Sequence, residues 1–220
     1  MENKKSKKEI IEEIQLQVQN LLQCQICYNK YTDINPALTL NCGHSGCKNC
    51  LHNWWFTWTD NYNNTRVQYF AISTEVYYHT QYSKQIEDQY YWLEKALENS
   101  KADWKIVIGH RPLYCSSLDY PRCTSDASKI RDGIQGHWQG NKYGFEYLFH
   151  TYKVDMYFCG HIHSYERTFP LYKGYYQIFN NNTYTNPNST VYIISGAAGN
   201  REMLTDFYDD HIYGKWSAYR

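Results

Sequence analysis

The chain has 220 residues, enough for one medium hydrophobic core or two small ones. Lysine plus arginine balances aspartate plus glutamate at 22 each, which argues against nucleic acids or anionic membranes as general partners. The 24 tyrosines and 7 tryptophans suit a β-rich or α/β core better than a disordered chain, and the absence of a long apolar run predicts no membrane span.

The first 23 residues predict a short helix. Between Glu9 and Gln23, apolar side chains recur at intervals of three and four residues and so form one stripe along a helix. The stripe consists of Ile11, Ile14, Val18 and Leu21. The segment before the stripe is charged and lacks the apolar stretch of a signal peptide, so a cytoplasmic location is the default expectation.

A cysteine-rich segment follows, over residues 24–55. It contains two C-x2-C pairs, Cys24 with Cys27 and Cys47 with Cys50. Two such pairs this close together are the usual arrangement of four thiolates around a structural Zn²⁺ ion. The cysteines therefore predict a zinc-binding knuckle.

The spacing of this segment resembles that of a RING-type zinc finger, a module of many ubiquitin ligases. The resemblance implies that the ligands interleave, so that the four cysteines form a complete first zinc site. Cys42 and His44 would belong to a second site, which lacks its further C-x2-C pair downstream. We therefore expect a partial RING-type finger, and the partner of such a module would be a ubiquitin-conjugating enzyme.

Residues 56–220 alternate between strand patterns and helical patterns. This alternation predicts a parallel sheet and the α/β class. The predicted strands are Val67–Ser73, Lys105–Ile108, Val154–Cys159 and Val191–Ser195, and the predicted helices are Gln85–Asn99 and Asn141–Tyr152.

Two of the predicted strands run directly into a glycine and a histidine. The strand at Lys105–Ile108 is followed by Gly109 and His110, and the next strand is followed by a Gly-His-Ile-His sequence that contains His161 and His163. Open α/β sheets place their sites at the carboxyl ends of parallel strands, so we expect these imidazoles at one edge of the sheet. Histidines one residue apart at a strand end can each reach a different metal of a close pair.

The motifs around these histidines resemble the purple acid phosphatases, which are two-metal enzymes of the calcineurin-like metallophosphoesterase class. The motifs are IVIGHRPLYCSS at Ile106–Ser117 and GHIHSYER at Gly160–Arg167, and weaker matches extend the resemblance over about Phe56 to Arg220. They correspond to the C-terminal half of the family's domain. The resemblance implies a sandwich of two mixed sheets flanked by helices, and hydrolysis of phosphate monoesters at a dinuclear Fe/Zn centre.

The same resemblance implies roles for individual residues. His110 and His161 would bind the divalent metal, and His163 would bind the ferric ion. Cys115 and Cys123 would form the disulfide seen in secreted relatives. Three N-x-S/T glycosylation sequons fit a secreted or vacuolar setting, at Asn63, Asn181 and Asn188.

The chain departs from the family pattern in one respect that affects both fold and function. It contains none of the GDxG, GDxxY and GNH motifs that supply the remaining metal and phosphate ligands. We therefore expect an incomplete sandwich and a partial metal site. Three hypotheses stay open: a divergent metal-dependent phosphatase, a RING-type zinc protein in ubiquitin transfer, or a truncated hybrid, from gene fusion or a wrong gene model, with neither activity.

Overall fold

A computed structural model of the chain describes the backbone at 37–39 and 45–47 and then most of the chain from residue 55. The described ranges there are 55–78, 83–118, 122–136, 140–179, 183–197, 204–207 and 214–220. The chain divides into two compact units, Met1–Phe56 and Thr57–Arg220. In the described residues, no helix is both long and apolar enough to cross a membrane.

The first unit is described through one antiparallel pair of short strands. Strand β1 (Ala37–Thr39) pairs with β2 (Ser45–Cys47), with Leu38 opposite Gly46. The predicted N-terminal helix lies outside the described residues, and Cys47 is described only as backbone at the end of β2. The other predicted zinc ligands also lie outside the described residues, namely Cys24, Cys27, Cys42, His44 and Cys50.

The second unit is built on a mixed seven-stranded sheet with the order β13-β9-β12-β8-β5-β4-β3. Four neighbouring strands, β4, β5, β8 and β12, are parallel, whereas β9 is antiparallel to β12 and β13 is antiparallel to β9. The strands are β3 (Phe56–Tyr62), β4 (Thr65–Ala71), β5 (Trp104–Ile108), β8 (Met156–Cys159), β9 (Tyr165–Thr168), β12 (Val191–Ser195) and β13 (Ser217–Tyr219).

Helices and small hairpins connect these strands. The helices are α1 (Ser83–Glu98), α2 (Ala127–Arg131) and α3 (Phe145–Thr151), and single turns of other helix types occur at Glu75–Tyr78 and Arg122–Asp126. Two further antiparallel pairs join β6 (Gly133–Gly136) to β7 (Gly140–Tyr143), and β10 (Leu171–Tyr172) to β11 (Tyr175–Tyr176).

One row of side chains across the parallel strands forms the centre of the hydrophobic core. The register places Phe70, Val107, Tyr157 and Tyr192 side by side, and all four are buried. Helix α1 contributes Leu93 and Leu97 to the same core and α3 contributes Leu148 and Phe149, all essentially inaccessible to solvent. Alternation along each strand thus directs one face toward the helices.

A buried glutamine fixes α1 to the end of β4. The helical spacing of Ile86, Tyr90, Leu93 and Leu97 predicts one inward face, and of these four side chains all are buried except Tyr90, which is partly buried. Gln89 is buried with them because its side chain accepts a hydrogen bond from the Ser73 backbone N–H and donates one to the Ser73 carbonyl, at 2.6 and 2.9 Å. The two bonds thus satisfy the backbone N–H and carbonyl of Ser73, just after the end of β4.

The four predicted strands are confirmed within a few residues at their ends, but the predicted helix at Asn141–Tyr152 is wrong in its first turn. Residues up to Tyr143 form β7, paired with β6, and the helix begins only at Phe145. Gly144 separates the two, with extended backbone angles and no room for a Cβ, which would lie 2.4 Å from the Arg131 carbonyl oxygen.

The parallel pairing expected of the four predicted strands is confirmed, and β9 and β13 add an antiparallel edge that makes the sheet mixed. The predicted sandwich needs a second large sheet. The described residues contain one large sheet and three two-stranded ones, so the second layer of the sandwich stays a prediction.

Gly109, at the end of β5, packs closely against the side chain of Tyr157. A Cβ at this position would lie 2.3 Å from the Tyr157 hydroxyl oxygen, which itself donates a 2.6 Å hydrogen bond to the Arg111 carbonyl. We expect Gly109→Ala to lower the free energy of unfolding by about 1–3 kcal/mol, as overpacking of a filled core does. Adding Tyr157→Phe removes the clashing oxygen and should recover part of that loss.

A double-mutant cycle in urea, followed by tryptophan fluorescence, measures the coupling between the two positions. Tyr157→Phe alone is the control, because it costs only the hydrogen bond to Arg111, about 1 kcal/mol. Strictly additive effects of the two substitutions would show that Gly109 does not pack against the Tyr157 hydroxyl.

Candidate functional site

The histidines that follow β5 and β8 meet at the carboxyl edge of the sheet. Because the two strands are parallel neighbours, their ends lie side by side. The backbone N–H of Gly109 donates to the Phe158 carbonyl, and that of Gly160 donates to the His110 carbonyl, each at 3.0 Å. These bonds hold the two loops together and bring Nε2 of His110 within 3.1 Å of Nδ1 of His161.

The backbone of His161 adopts an unusual conformation. Its φ of 64° lies in the left-handed region that few residues other than glycine occupy. The residues on both sides are bonded to the backbone, Gly160 to His110 and Ile162 to the Gly160 carbonyl. Such strained residues are concentrated at functional sites, where the surrounding structure over-determines them.

Arg111, next in sequence to His110, contacts the second imidazole. Its NH1 group lies 3.0 Å from Nε2 of His161, while Nε and NH2 bind the two carboxylate oxygens of Glu75 at 2.6 and 3.0 Å. The guanidinium also lies 4.0 Å from the centre of the Tyr78 ring. Glu75 and Tyr78 belong to the helical turn that follows β4, so a third strand end contributes to the same site.

These contacts determine where the protons of the pair are. A guanidinium only donates hydrogen bonds, so Nε2 of His161 must accept and Nδ1 must carry the ring proton. Nδ1–H of His161 therefore donates to Nε2 of His110. Burial, followed by the positive charge of Arg111, lowers the pKa of His161 to about 4, which keeps this imidazole neutral.

Glu75 supplies the negative charge beside this cluster. Burial alone would raise the pKa of Glu75, but the hydrogen bond and charge of Arg111 outweigh it, and the pKa of Glu75 lies below its usual value. The carboxylate is thus ionised and compensates the guanidinium.

His163 lies two residues after His161, and its role as a ligand of the ferric ion stays a prediction. Its side chain is half-buried, and its carbonyl accepts a 3.1 Å hydrogen bond from Thr205. Within the described part of the chain, no group of three or more His, Cys, Asp or Glu side chains could hold a metal ion. The described residues by themselves therefore do not fit the dinuclear Fe/Zn centre that the sequence resemblance implies, since they converge only two imidazoles.

The loop that follows His110 is hydrogen-bonded through Ser116 to β9, the strand that follows His163. Cys115 and Cys123 are joined by a disulfide in this loop, with their Cα atoms 5.1 Å apart. Ser116, fully buried, donates two hydrogen bonds to the carboxylate of Glu166 on β9, from its backbone N–H at 2.9 Å and from its hydroxyl at 2.7 Å. Glu166 is itself fully buried, and burial raises its pKa despite these two bonds.

The remaining predicted site residues are the asparagines of the sequons. Asn63 is exposed in the turn between β3 and β4, with a positive φ of 55°, and Asn188 is exposed on a loop. Asn181 lies outside the described residues.

Comparison with known proteins adds the family to this geometry. The model of the calcineurin-like phosphoesterase family matches residues 12–165. The chain belongs to the calcineurin-like phosphoesterase family. The match begins well before Phe56, where the motif resemblance began, and it includes the segment predicted as a RING-type finger, which stays a prediction.

Several acid phosphatases are similar to this member of the calcineurin-like phosphoesterases. Acid phosphatase type 7 of Mus musculus is 40% identical over 175 residues, covering 76% of this chain and 37% of the relative. The protein of the same name from Homo sapiens is 39% identical over 176 residues, with the same coverage. The chain thus spans little more than a third of the length of these relatives.

A solved structure agrees with the fold. The purple acid phosphatase PPD1 from yellow lupin (Lupinus luteus) seeds has 27% sequence identity to this chain and superposes with a TM-score of 0.51. The alignment covers 74% of this chain and 26% of the lupin chain.

Sequence reasoning found the two histidines but missed Arg111, Glu75 and Ser116. Arg111 adjoins His110, and Glu75 follows the end of β4. Parallel strand ends converge at one edge of the sheet. This rule places Arg111 and Glu75 at the same edge as the histidines, because each follows a predicted strand.

The two hydrogen bonds from Ser116 to Glu166 can be tested through protein stability. Glu166→Ala leaves the buried N–H of Ser116 without an acceptor, so we expect a loss of about 1–3 kcal/mol in the free energy of unfolding. Glu166→Gln should cost less, since the amide oxygen can accept from the N–H while the amide nitrogen donates to the hydroxyl. Urea unfolding of both variants measures the difference in their free energies of unfolding. Equal losses in the two variants would contradict a stabilising role of these hydrogen bonds.

Proposed function

We propose that the chain is a phosphoric monoester hydrolase of the acid phosphatase kind, acting at the sheet edge that carries His110 and His161. The observation that carries the proposal is the 3.1 Å contact of these imidazoles at the ends of two neighbouring parallel strands. Similarity to acid phosphatase type 7 supports the reaction class and the substrate class.

The reaction sets the requirements for this edge. Hydrolysis of a phosphate monoester needs an activated water and positive charge at the phosphoryl oxygens, which a pair of bound metals supplies in two-metal phosphatases. The described residues bring together two imidazoles, a ligand type that suits zinc and iron, but they do not complete the ligand set of a two-metal centre. The proposal therefore requires further ligands from beyond the described residues, and the assignment of His163 to the ferric ion is part of it.

Hydrolysis of an aryl phosphate at acid pH, with Fe and Zn supplied, tests the proposal. We expect His110→Asn and His161→Asn each to reduce kcat/KM by at least about a hundredfold, the upper end of what loss of a ligand's supporting partner costs. His150→Gln is the matched control, because His150 stacks on Tyr172 with ring centroids 3.8 Å apart and takes no part in the histidine pair.

Thermal unfolding of all three variants shows whether a loss of activity reflects a loss of fold. Absence of turnover by the wild-type chain with both metals present would refute the proposal. Equal activity of His161→Asn and the wild type would refute the assignment of the reaction to this edge.

We also propose that the cysteine-rich segment holds one structural zinc through Cys24, Cys27, Cys47 and Cys50. The support is the spacing of the two C-x2-C pairs. The finer proposal, a RING-type role in ubiquitin transfer, needs a ubiquitin-conjugating enzyme as partner and rests on the same spacing.

Metal analysis tests the finger independently of the phosphatase proposal. We expect the purified chain to contain about one equivalent of zinc bound by thiolates and Cys24→Ser to lose it, because a site reduced to three thiolates is no longer closed. Asp60→Asn, a change of a half-exposed side chain on β3, is the control. Autoubiquitination that is absent from Cys24→Ser would support the ligase role. Lack of both zinc and phosphatase activity is the outcome that the hybrid hypothesis predicts.

A further inference from the structure

A cavity of about 850 Å³ lies against the sheet face that is turned away from the helices. Tyr157 and Tyr192 belong to the core on the helical side, so alternation along β8 and β12 directs their neighbours to the opposite face. These neighbours, Met156, Val191 and Ile193, line the cavity. One wall of the cavity is therefore apolar and is formed by the sheet itself.

The cavity is separate from the edge that carries the histidine pair. Its lining includes Trp104, Met156 and Val191, which are the first residues of β5, β8 and β12. His110 and His161 instead follow the last residues of β5 and β8, at the opposite edge of the parallel strands. The volume lies in the range of roughly 300–1,000 Å³ that is usual for small-molecule sites. The cavity is thus a candidate site that the proposed phosphatase reaction does not use.

Two polar side chains in the lining have buried atoms without a hydrogen-bond partner. These atoms are Nε of Arg167, on β9, and the hydroxyl oxygen of Tyr184, in the loop before β12, and both are unpaired within the described part of the chain. The register pairs Arg167 with Ile193, so the guanidinium lies on the same sheet face as the apolar wall. Its Cζ lies 5.5 Å from the centre of the Tyr184 ring. Buried donors are rarely left unpaired, because the loss of hydration is then not repaid.

The charged groups around the cavity favour an anion as the missing partner. Asp103 and Asp155 also line it, but each already accepts a hydrogen bond from a backbone N–H, that of Arg66 and that of Lys105, both at 2.8 Å. Among the described residues, no carboxylate forms an ion pair with Arg167. Hydrogen bonds from a guanidinium to a carboxylate are roughly twice as strong as neutral ones. The buried guanidinium therefore leaves room for a carboxylate from outside the chain.

We propose that this cavity binds an amphiphilic carboxylate of the medium-chain fatty acid class. The carboxylate accepts from Nε–H of Arg167 and from the hydroxyl of Tyr184, and the apolar chain lies along Met156, Val191 and Ile193. One molecule then satisfies both unpaired donors and covers the apolar wall. The site does not depend on the proposed phosphatase reaction.

Calorimetry of the full chain with octanoate tests the site, and octanol and acetate are the matched probes. Octanol has the apolar chain without the charge, whereas acetate has the charge without the chain. We expect one octanoate per chain, bound at least about tenfold more tightly than octanol, since hydrogen bonds between charged groups are the stronger ones. Acetate should show no measurable binding. Equal affinities for octanoate and octanol would overturn the proposal, because Arg167 and Tyr184 would then take no part in binding.

Substitutions of the two unpaired donors locate the binding. Arg167→Met keeps much of the length of the side chain but removes its donors, so it should weaken octanoate binding at least about tenfold and leave octanol binding unchanged. Tyr184→Phe removes only the hydroxyl and should weaken octanoate binding about threefold or more. Arg131→Met is the control, since Arg131 pairs with Asp132 at 2.9 Å and does not line this cavity. A loss in Arg131→Met as large as that in Arg167→Met would overturn the proposal.

Nuclear magnetic resonance keeps the test decisive if Arg167→Met does not fold. Octanoate should shift the side-chain ¹H–¹⁵Nε signal of Arg167 in the wild-type chain, because that N–H acquires an acceptor. The concentration needed for half of this shift should rise in Tyr184→Phe. An Arg167 signal that does not move at saturating octanoate would overturn the proposal, as would an unchanged midpoint in the folded Tyr184→Phe variant.

Discussion

The parallel pairing of β5 with β8 decides where every other part of the site can be. With Ile106 opposite Met156 and Ile108 opposite Phe158, both strands end at the same height. The hydrogen bonds from Gly109 and Gly160 continue this pairing past the strand ends, into the loops themselves. Parallel strands are joined by crossovers that run back along the sheet, so the loops at one edge come from distant parts of the sequence. His110 and His161, fifty-one residues apart, meet for this reason.

The polar side chains at this edge form a chain of hydrogen bonds in which each side chain orients the next. Glu75 fixes Arg111, Arg111 fixes the tautomer of His161, and His161 fixes the orientation of His110. The guanidinium therefore supplies the positive charge beside Nε2 of His161.

The sequence predicted those features that depend on local pattern. Apolar runs located β4, β5, β8 and β12, and the glycine-histidine sequences located the two loops. The features it missed depend on long-range contacts. Nothing local distinguishes the helical residues after Gly144 from the strand residues before it, since β7 exists only through pairing with β6. In the same way, Ser116 acquires its role only because the fold buries Glu166 next to it.

The disulfide and the zinc site proposed for the cysteine pairs of the N-terminal segment require different redox conditions, since disulfides persist in oxidising compartments and zinc thiolates need reduced cysteines. Burial reduces this conflict. Cys115 is inaccessible and Cys123 is 7% exposed, so burial restricts the access of an attacking thiol to the bond. The surrounding structure is held in part by Ser116 and Glu166, which also connect the loop after His110 to β9. The same two hydrogen bonds thus hold the residue next to Cys115 against β9, the strand that follows the second histidine loop.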